Sequence, residues 1–204
     1  MILFAQDWLD YPEAIPDTKT PNKSYLRLAK MLQMMGVKNC LFYLSLLQPQ
    51  LQGVDTRDPN LTVDQVVMIK SEARKNFWYM MREVIRIPAA SGDGEVFFDI
   101  NRGALAAWWC YLSHQDYNLT QPRQTGKSVS TDCLMIWLLF LGTSNSRINM
   151  ITKDDALRKA NVERLKKIRD LLPPYLVVKG RADSDNQFEV TCKKWDNTYS
   201  TGVA

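Results

Sequence analysis

Apolar residues recur at steps of three and four along several stretches of this chain and alternate or run together along others, dividing it into helices and strands. From Ser24, the residues Tyr25, Leu28, Ala29, Leu32 and Met35 keep helical spacing, and Gly36 is placed to end that helix. Thr62 and Gln65 form a capping box, in which each side chain meets a first-turn amide that has no helical partner. Val63, Val66, Ile69, Ala73, Phe77, Met80 and Val84 then fall on one face, which predicts a single long helix running toward Pro88. Asn101 can cap a helix over 103–113, with Leu105, Trp108, Trp109 and Leu112 on its apolar side. A last helix over 153–172 would turn Leu157, Leu165, Ile168 and Leu172 inward, and Pro173 and Pro174 stop it.

The strand signals are shorter. Residues 116–120, D-Y-N-L-T, read as a strand ahead of a glycine-containing loop, and the apolar run 133–141 behind the loop reads as a buried helix. Residues 147–152 read as a second strand, and 187–192 alternate polar and apolar. A turn at Trp195, Asp196 and Asn197 would let 198–204 return as a hairpin. Strand, loop, helix, strand, helix is the opening of a parallel α/β sheet, in which ligands bind where the strands end. Residues 41–51 are apolar but contain Pro49, leaving their element type open, while 53–60 and 89–94 are loops. Pro12, Pro16 and Pro21 among polar residues predict an extended arm over 1–22, suited to docking on a partner.

The loop carries the candidate chemistry. Residues 121–128 read Q-P-R-Q-T-G-K-S. A phosphate-binding loop needs a small residue before its lysine so that backbone amides can curl round phosphate oxygens, and Gly126 supplies it. The amides of Thr125 to Ser128 would cradle a β-phosphate, and Lys127 would neutralise charge on the β and γ oxygens. Ser128, opening a helix, offers a hydroxyl to Mg2+. The usual pattern G-x-x-x-x-G-K-[ST] wants glycine where this chain has Gln121, followed by Pro122.

P-R-Q-T-G-K-S resembles the deviant Walker A loop of large terminase subunits, the ATPases that thread DNA into the capsids of tailed bacteriophages. In that family the first glycine is commonly absent, and an arginine and glutamine stand where Arg123 and Gln124 stand here. N-F-W-Y-M-M-R-E-V-I-R-I-P over 76–88, N-R-G over 101–103 and T-K-D-D over 152–155 extend the resemblance across roughly residues 58–204. It implies an α/β P-loop NTPase domain of RecA-like type, a parallel sheet flanked by helices, over 61–204, preceded by an arm and small helical region over 1–60. It further implies ATP and Mg2+ as cofactors, with Gln121, Pro122, Arg123, Gln124, Thr125, Gly126, Lys127 and Ser128 around the nucleotide. Arg123 and Lys127 would be the catalytic cations, with Arg123 sensing the γ-phosphate or stabilising its developing charge, and Ser128 the metal ligand. The implied partners are double-stranded DNA, the portal protein and the small terminase subunit. The implied assembly is a homo-oligomeric ring, and the implied setting is the cytoplasm of an infected bacterium, at the procapsid portal.

Two departures qualify that picture. The adenine-contacting Tyr-Gln pair of many terminases is replaced by Asn101 and Arg102, whose guanidinium could stack on a base. After Ser128, none of Asp132, Asp154, Asp155, Glu163, Asp170, Asp183, Asp185, Glu189 and Asp196 follows an apolar strand in the h-h-h-h-D-E form of a Walker B element. The chain is therefore expected to be the N-terminal portion of such a motor, binding ATP without hydrolysing it alone. Another P-loop ATPase, AAA-like or helicase-like, or a non-enzymatic adaptor with a degenerate phosphate loop, are the alternatives.

Composition changes this little. The net charge of +4 is mild, but 147–181 holds ten basic and four acidic residues, a local excess of six that suits a phosphate backbone as well as a solvated helix face. The four cysteines form no C-x-x-C pair and His114 is the only histidine, which argues against disulfide frameworks and histidine-rich metal sites. Neither a secretory signal nor an apolar run near the ~20 residues of a membrane span is visible.

Overall fold

The computed structural model describes residues 1–122, 126–177 and 179–204. Their contacts gather into two compact units interleaved along the chain. Met1–Val84 with Phe97–Lys127 form the first, and Ile85–Val96 with Ser128–Ala204 the second, so neither is delimited by a cut at residue 60.

In the first unit, helix α1 (Lys23–Met34) ends as its pattern predicts, with Gly36 in the left-handed region at φ 79°. The N-terminal arm, expected to be extended, is packed. A 3-10 turn over Ala5–Asp10 leads to strand β1 (Ile15–Pro16), which pairs antiparallel with β2 (Ser45–Leu46). Ile2 and Thr20 are fully buried, and Asp17 donates its amide to the Leu44 carbonyl. Prolines restrict φ without forbidding such packing, because a single strand edge and a 3-10 turn need few amide donors.

The long helix expected over 62–87 is broken. Helix α2 (Val63–Lys75) begins on the Thr62–Gln65 capping box and stops at Asn76, whose extended backbone starts α3 (Phe77–Tyr79); this runs into a π-helical turn over Met80–Val84. Buried Asn76 accepts a hydrogen bond from the Tyr79 amide and donates to the Ser45 carbonyl and to Glu72 Oε1, at 3.0 and 2.8 Å. An amide side chain that competes with the helical ladder in this way favours a cap over a helix interior. Phe77, Trp78, Tyr79, Met80 and Met81 are buried all round, so no single helical face describes them, and Val63 on the expected inner face is 79% exposed. Phe42, Phe77, Phe98 and Trp108 surround Trp78 or one another with ring centroids 5.2 Å apart in mostly edge-on contacts. Helix α4 (Arg102–Leu112) is capped by Asn101 as expected, its side chain accepting from the Ala104 amide at 3.0 Å.

In the second unit, β3 (Arg86–Pro88) pairs with β4 (Glu95–Phe97), and β5 (Arg147–Thr152), β6 (Glu189–Cys192) and β7 (Asn197–Val203) form a mixed sheet in the order β5-β7-β6. β7 runs parallel to β5 and antiparallel to β6, so the expected hairpin forms and its returning strand joins the sheet beside β5. Residues 115–122 form no strand. Among the described residues no strand pairs with this segment in a ladder, and a strand exists only through such a partner. The architecture is α/β with small sheets and helices.

Helix α5 (Lys127–Trp137) continues into a π turn over Leu138–Gly142, and α6 (Asp155–Asp170) is capped by the Asp154 carboxylate at the Leu157 amide. Asn197, fully buried at the start of β7, donates to the carbonyls of Leu138, Leu139 and Thr143 and accepts from the Ser146 amide. One side chain thus satisfies acceptors that the π turn leaves outside the normal helical ladder. Leu157, expected inward, is 42% exposed; Arg158 takes the buried place, bonded to Asp155 and the Gln187 carbonyl with its guanidinium over the Phe188 ring. Among the described residues no helix is long and apolar enough to cross a membrane.

Candidate phosphate-binding loop

The described part of the loop is held by its lysine. Lys127, the first residue of α5, donates from Nζ to the carbonyls of Gln121 and Pro122 at 2.6 and 2.8 Å. The two carbonyls lie five and six residues back in sequence, so the lysine ties the start of α5 to residues 121 and 122. Gly126 sits in the left-handed region at φ 76°, and no described residue stands within 4 Å of where a Cβ would lie. Its glycine is required by backbone conformation, not by crowding. Ser128 is exposed in the first turn of α5. Arg123, Gln124 and Thr125 lie outside the described residues.

The first loop residue is seated on α4. A Cβ on Gly103 would lie 1.7 Å from the Gln121 side-chain nitrogen, so a larger residue there would displace the end of the glutamine from its place beside the Asn101 cap. Asn101 and Arg102 also border a hollow of about 360 Å3 floored by Leu28, Met31 and Ile100, with Arg27 and Asp99 paired at 3.1 Å on its rim. Gln121 therefore lies beside Gly103 and Asn101 at the first turn of α4.

The acids after Ser128 are largely committed elsewhere. Asp154 caps α6, Asp155 holds Arg158 and Lys159, and Glu163 holds Lys167. Asp185 gathers Lys166, Arg169 and Lys179, whose hydrogen bonds hold its carboxyl well below the usual range against the opposing effect of burial. Asp196 pairs with Arg147, and Asp183 accepts from the Gly180 and Lys193 amides. Among the described residues no group of three His, Cys, Asp or Glu side chains stands together to hold a metal ion. Ser128 offers its hydroxyl and no carboxylate companion is placed beside it there.

The basic stretch 147–181 is likewise paired. Arg147, Lys153, Arg158, Lys159, Arg164, Lys166, Lys167, Arg169 and Lys179 each have a carboxylate within 4 Å. Asp132, Asp185 and Asp196, which lie outside the stretch in sequence, offset much of its excess. One pair was invisible to pattern reasoning: Asp132 of α5, fully buried, accepts from Arg164 Nε of α6. Burial pushes the Asp132 carboxyl up to about 6, against the pull of the arginine. Its only sequence signal was an acid standing directly before the apolar run 133–141.

Neither protein-family models nor curated protein sequences give a match to this chain.

Proposed function

We propose that residues 121–128 bind the phosphates of ATP with Mg2+, and that the chain is the nucleotide-binding portion of a terminase-type DNA-packaging motor. The observation that carries the phosphate-loop reading is the Lys127 ammonium closed on the Gln121 and Pro122 carbonyls, with left-handed Gly126 before it and α5 behind. The first amides of a helix favour a dense negative charge, and Lys127 at the start of α5 adds a cation beside them. Lys127 would neutralise phosphate oxygens, and Ser128 would supply one ligand to a Mg2+ that the phosphates also hold. Mg2+ bound mainly through phosphate oxygens and water needs few protein ligands, so a lone hydroxyl fits it. The motor, its DNA, portal and small-subunit partners and its ring rest on the resemblance of P-R-Q-T-G-K-S and of the blocks at 76–88, 101–103 and 152–155.

The commitment of the downstream acids to caps and ion pairs supports binding without turnover by these 204 residues. The test is a fluorescent ATP analogue titrated with Mg2+ present, with phosphate release followed in the same samples. Saturable binding that Lys127→Ala abolishes, without phosphate release, is expected. Equal binding by the variant would overturn the loop assignment. Turnover would replace the motor reading by a self-contained ATPase.

A further inference from the structure

A second hollow, of about 330 Å3, lies within the second unit between β3, the first turn of α5 and the outer face of α6. Its size is at the low end of the range for small-molecule sites, roughly 300–1,000 Å3. Ile87, Pro88, Val129 and Ala160 make its walls apolar. Arg164 and Lys167 bring positive charge to it, and Glu163 sits beside Lys167 at 2.8 Å in an exposed pair. Arg164 differs from its neighbours in being only 28% exposed while lining an open cavity.

The guanidinium is only partly used from behind. Nε donates to Asp132 Oδ2 and Nη2 to Asn161 Oδ1, the latter at 2.9 Å. Asp132, fully buried, keeps Oδ1 without a hydrogen-bond partner. A buried carboxylate oxygen left unpaired makes the ionised form expensive, so this aspartate is poised to take a proton if its arginine is shared. The groups that face it are Arg164 from α6, Tyr199 from β7 and Cys133 from its own helix; burial holds the tyrosine and cysteine neutral well above their usual ranges.

The geometry points to a binding site for a carboxylate carried on an apolar body, with Arg164 as its anion-binding group and proton uptake by Asp132 linked to its occupancy. The apolar walls take the body, and Arg164, which lines the hollow, takes the charge. A bare oxyanion would forgo the walls, and an uncharged chain would forgo the arginine. A second carboxylate on the same guanidinium weakens its hold on Asp132, which raises the proton affinity of Asp132. Binding therefore tightens as pH falls toward about 6, where Asp132 already begins to protonate without ligand. This site does not depend on the phosphate-loop reading.

The probe is hexanoate, titrated into the 204-residue chain and read by NMR shifts of the Ile87, Val129 and Ala160 methyls. Hexanol and inorganic phosphate separate body from charge, and a blocked Leu-Glu-Leu peptide separates a free acid from a side-chain carboxylate. We expect saturable shifts with hexanoate at about millimolar Kd. Hexanol and phosphate should bind at least about tenfold more weakly, and affinity should rise by up to about tenfold per pH unit from about pH 8 toward about pH 6. Asp132→Asn should abolish that pH dependence, and Arg164→Gln should weaken binding about tenfold or more. Ala160→Phe fills the hollow from an exposed position without touching the ion pair and should also remove binding. Hexanol binding as tightly as hexanoate, phosphate reproducing the methyl shifts, or affinity independent of pH would each overturn the proposal.

Discussion

Single residues decide whether the loop can form. Among the described residues Gly126 has no neighbour where a Cβ would sit, yet its φ of 76° is one that L-residues adopt at a cost. Gly126→Ala is expected to lose about 1–2 kcal/mol of local stability, read by urea unfolding. The same variant should lose much more of its analogue affinity than that figure implies, because the proposed phosphate contacts use the backbone amides on either side of this turn. Full affinity in Gly126→Ala would mean that the turn is not needed. The turn at Gly126 ahead of a helix was legible from the sequence because glycine before an apolar run is a local signal. The hold of Lys127 on the Gln121 and Pro122 carbonyls was not, since carbonyls carry no residue identity for a pattern to display.

Elements show where periodicity succeeds and where it fails. The starts of α2 and α4 match their expected caps because a cap is a local exchange between a side chain and amides two or three residues on. The break at Asn76 depends instead on the Ser45 carbonyl, 31 residues away, and on Glu72. The end of α5 depends on Asn197 in the same way. Asn197→Ala would leave three carbonyls and the Ser146 amide without that side chain's hydrogen bonds, and should cost about 2–4 kcal/mol. Urea denaturation checks this, and a loss below about 0.5 kcal/mol would show that these carbonyls find other partners. At Leu157, helical spacing alone put the wrong residue inward, because spacing cannot weigh a leucine against an Arg158 that has Asp155, a carbonyl and an aromatic ring to meet.

At the scale of the whole molecule, the acid limb of the stability profile contains two opposed contributions. The Asp132 carboxyl is raised to about 6, so between about pH 4 and about pH 6 the folded chain holds a proton that the unfolded chain has lost. Stability from this group is fully present below about pH 4 and is lost as pH rises through about 6, by about 2–3 kcal/mol. Asp185 is shifted the other way, and its contribution is present above about pH 4 and lost on further acidification. Subtracting the profile of Asp132→Asn from that of the native chain should leave a difference that falls with pH across about 4 to 6; a flat difference would show that Asp132 is not held protonated. The sequence by itself determined the helices with strong caps, the β6–β7 hairpin and the spacing of Gly126, Lys127 and Ser128, because each is written in residues a few positions apart. Tertiary structure alone decided that residues 115–122 lack a ladder, that the arm is packed, that β7 lies parallel to β5, and that Asp132, Asp185 and Asp196 meet the basic stretch. Those outcomes join residues tens of positions apart, and the free energy that selects among such pairings comes from burial and partner choice in the folded chain.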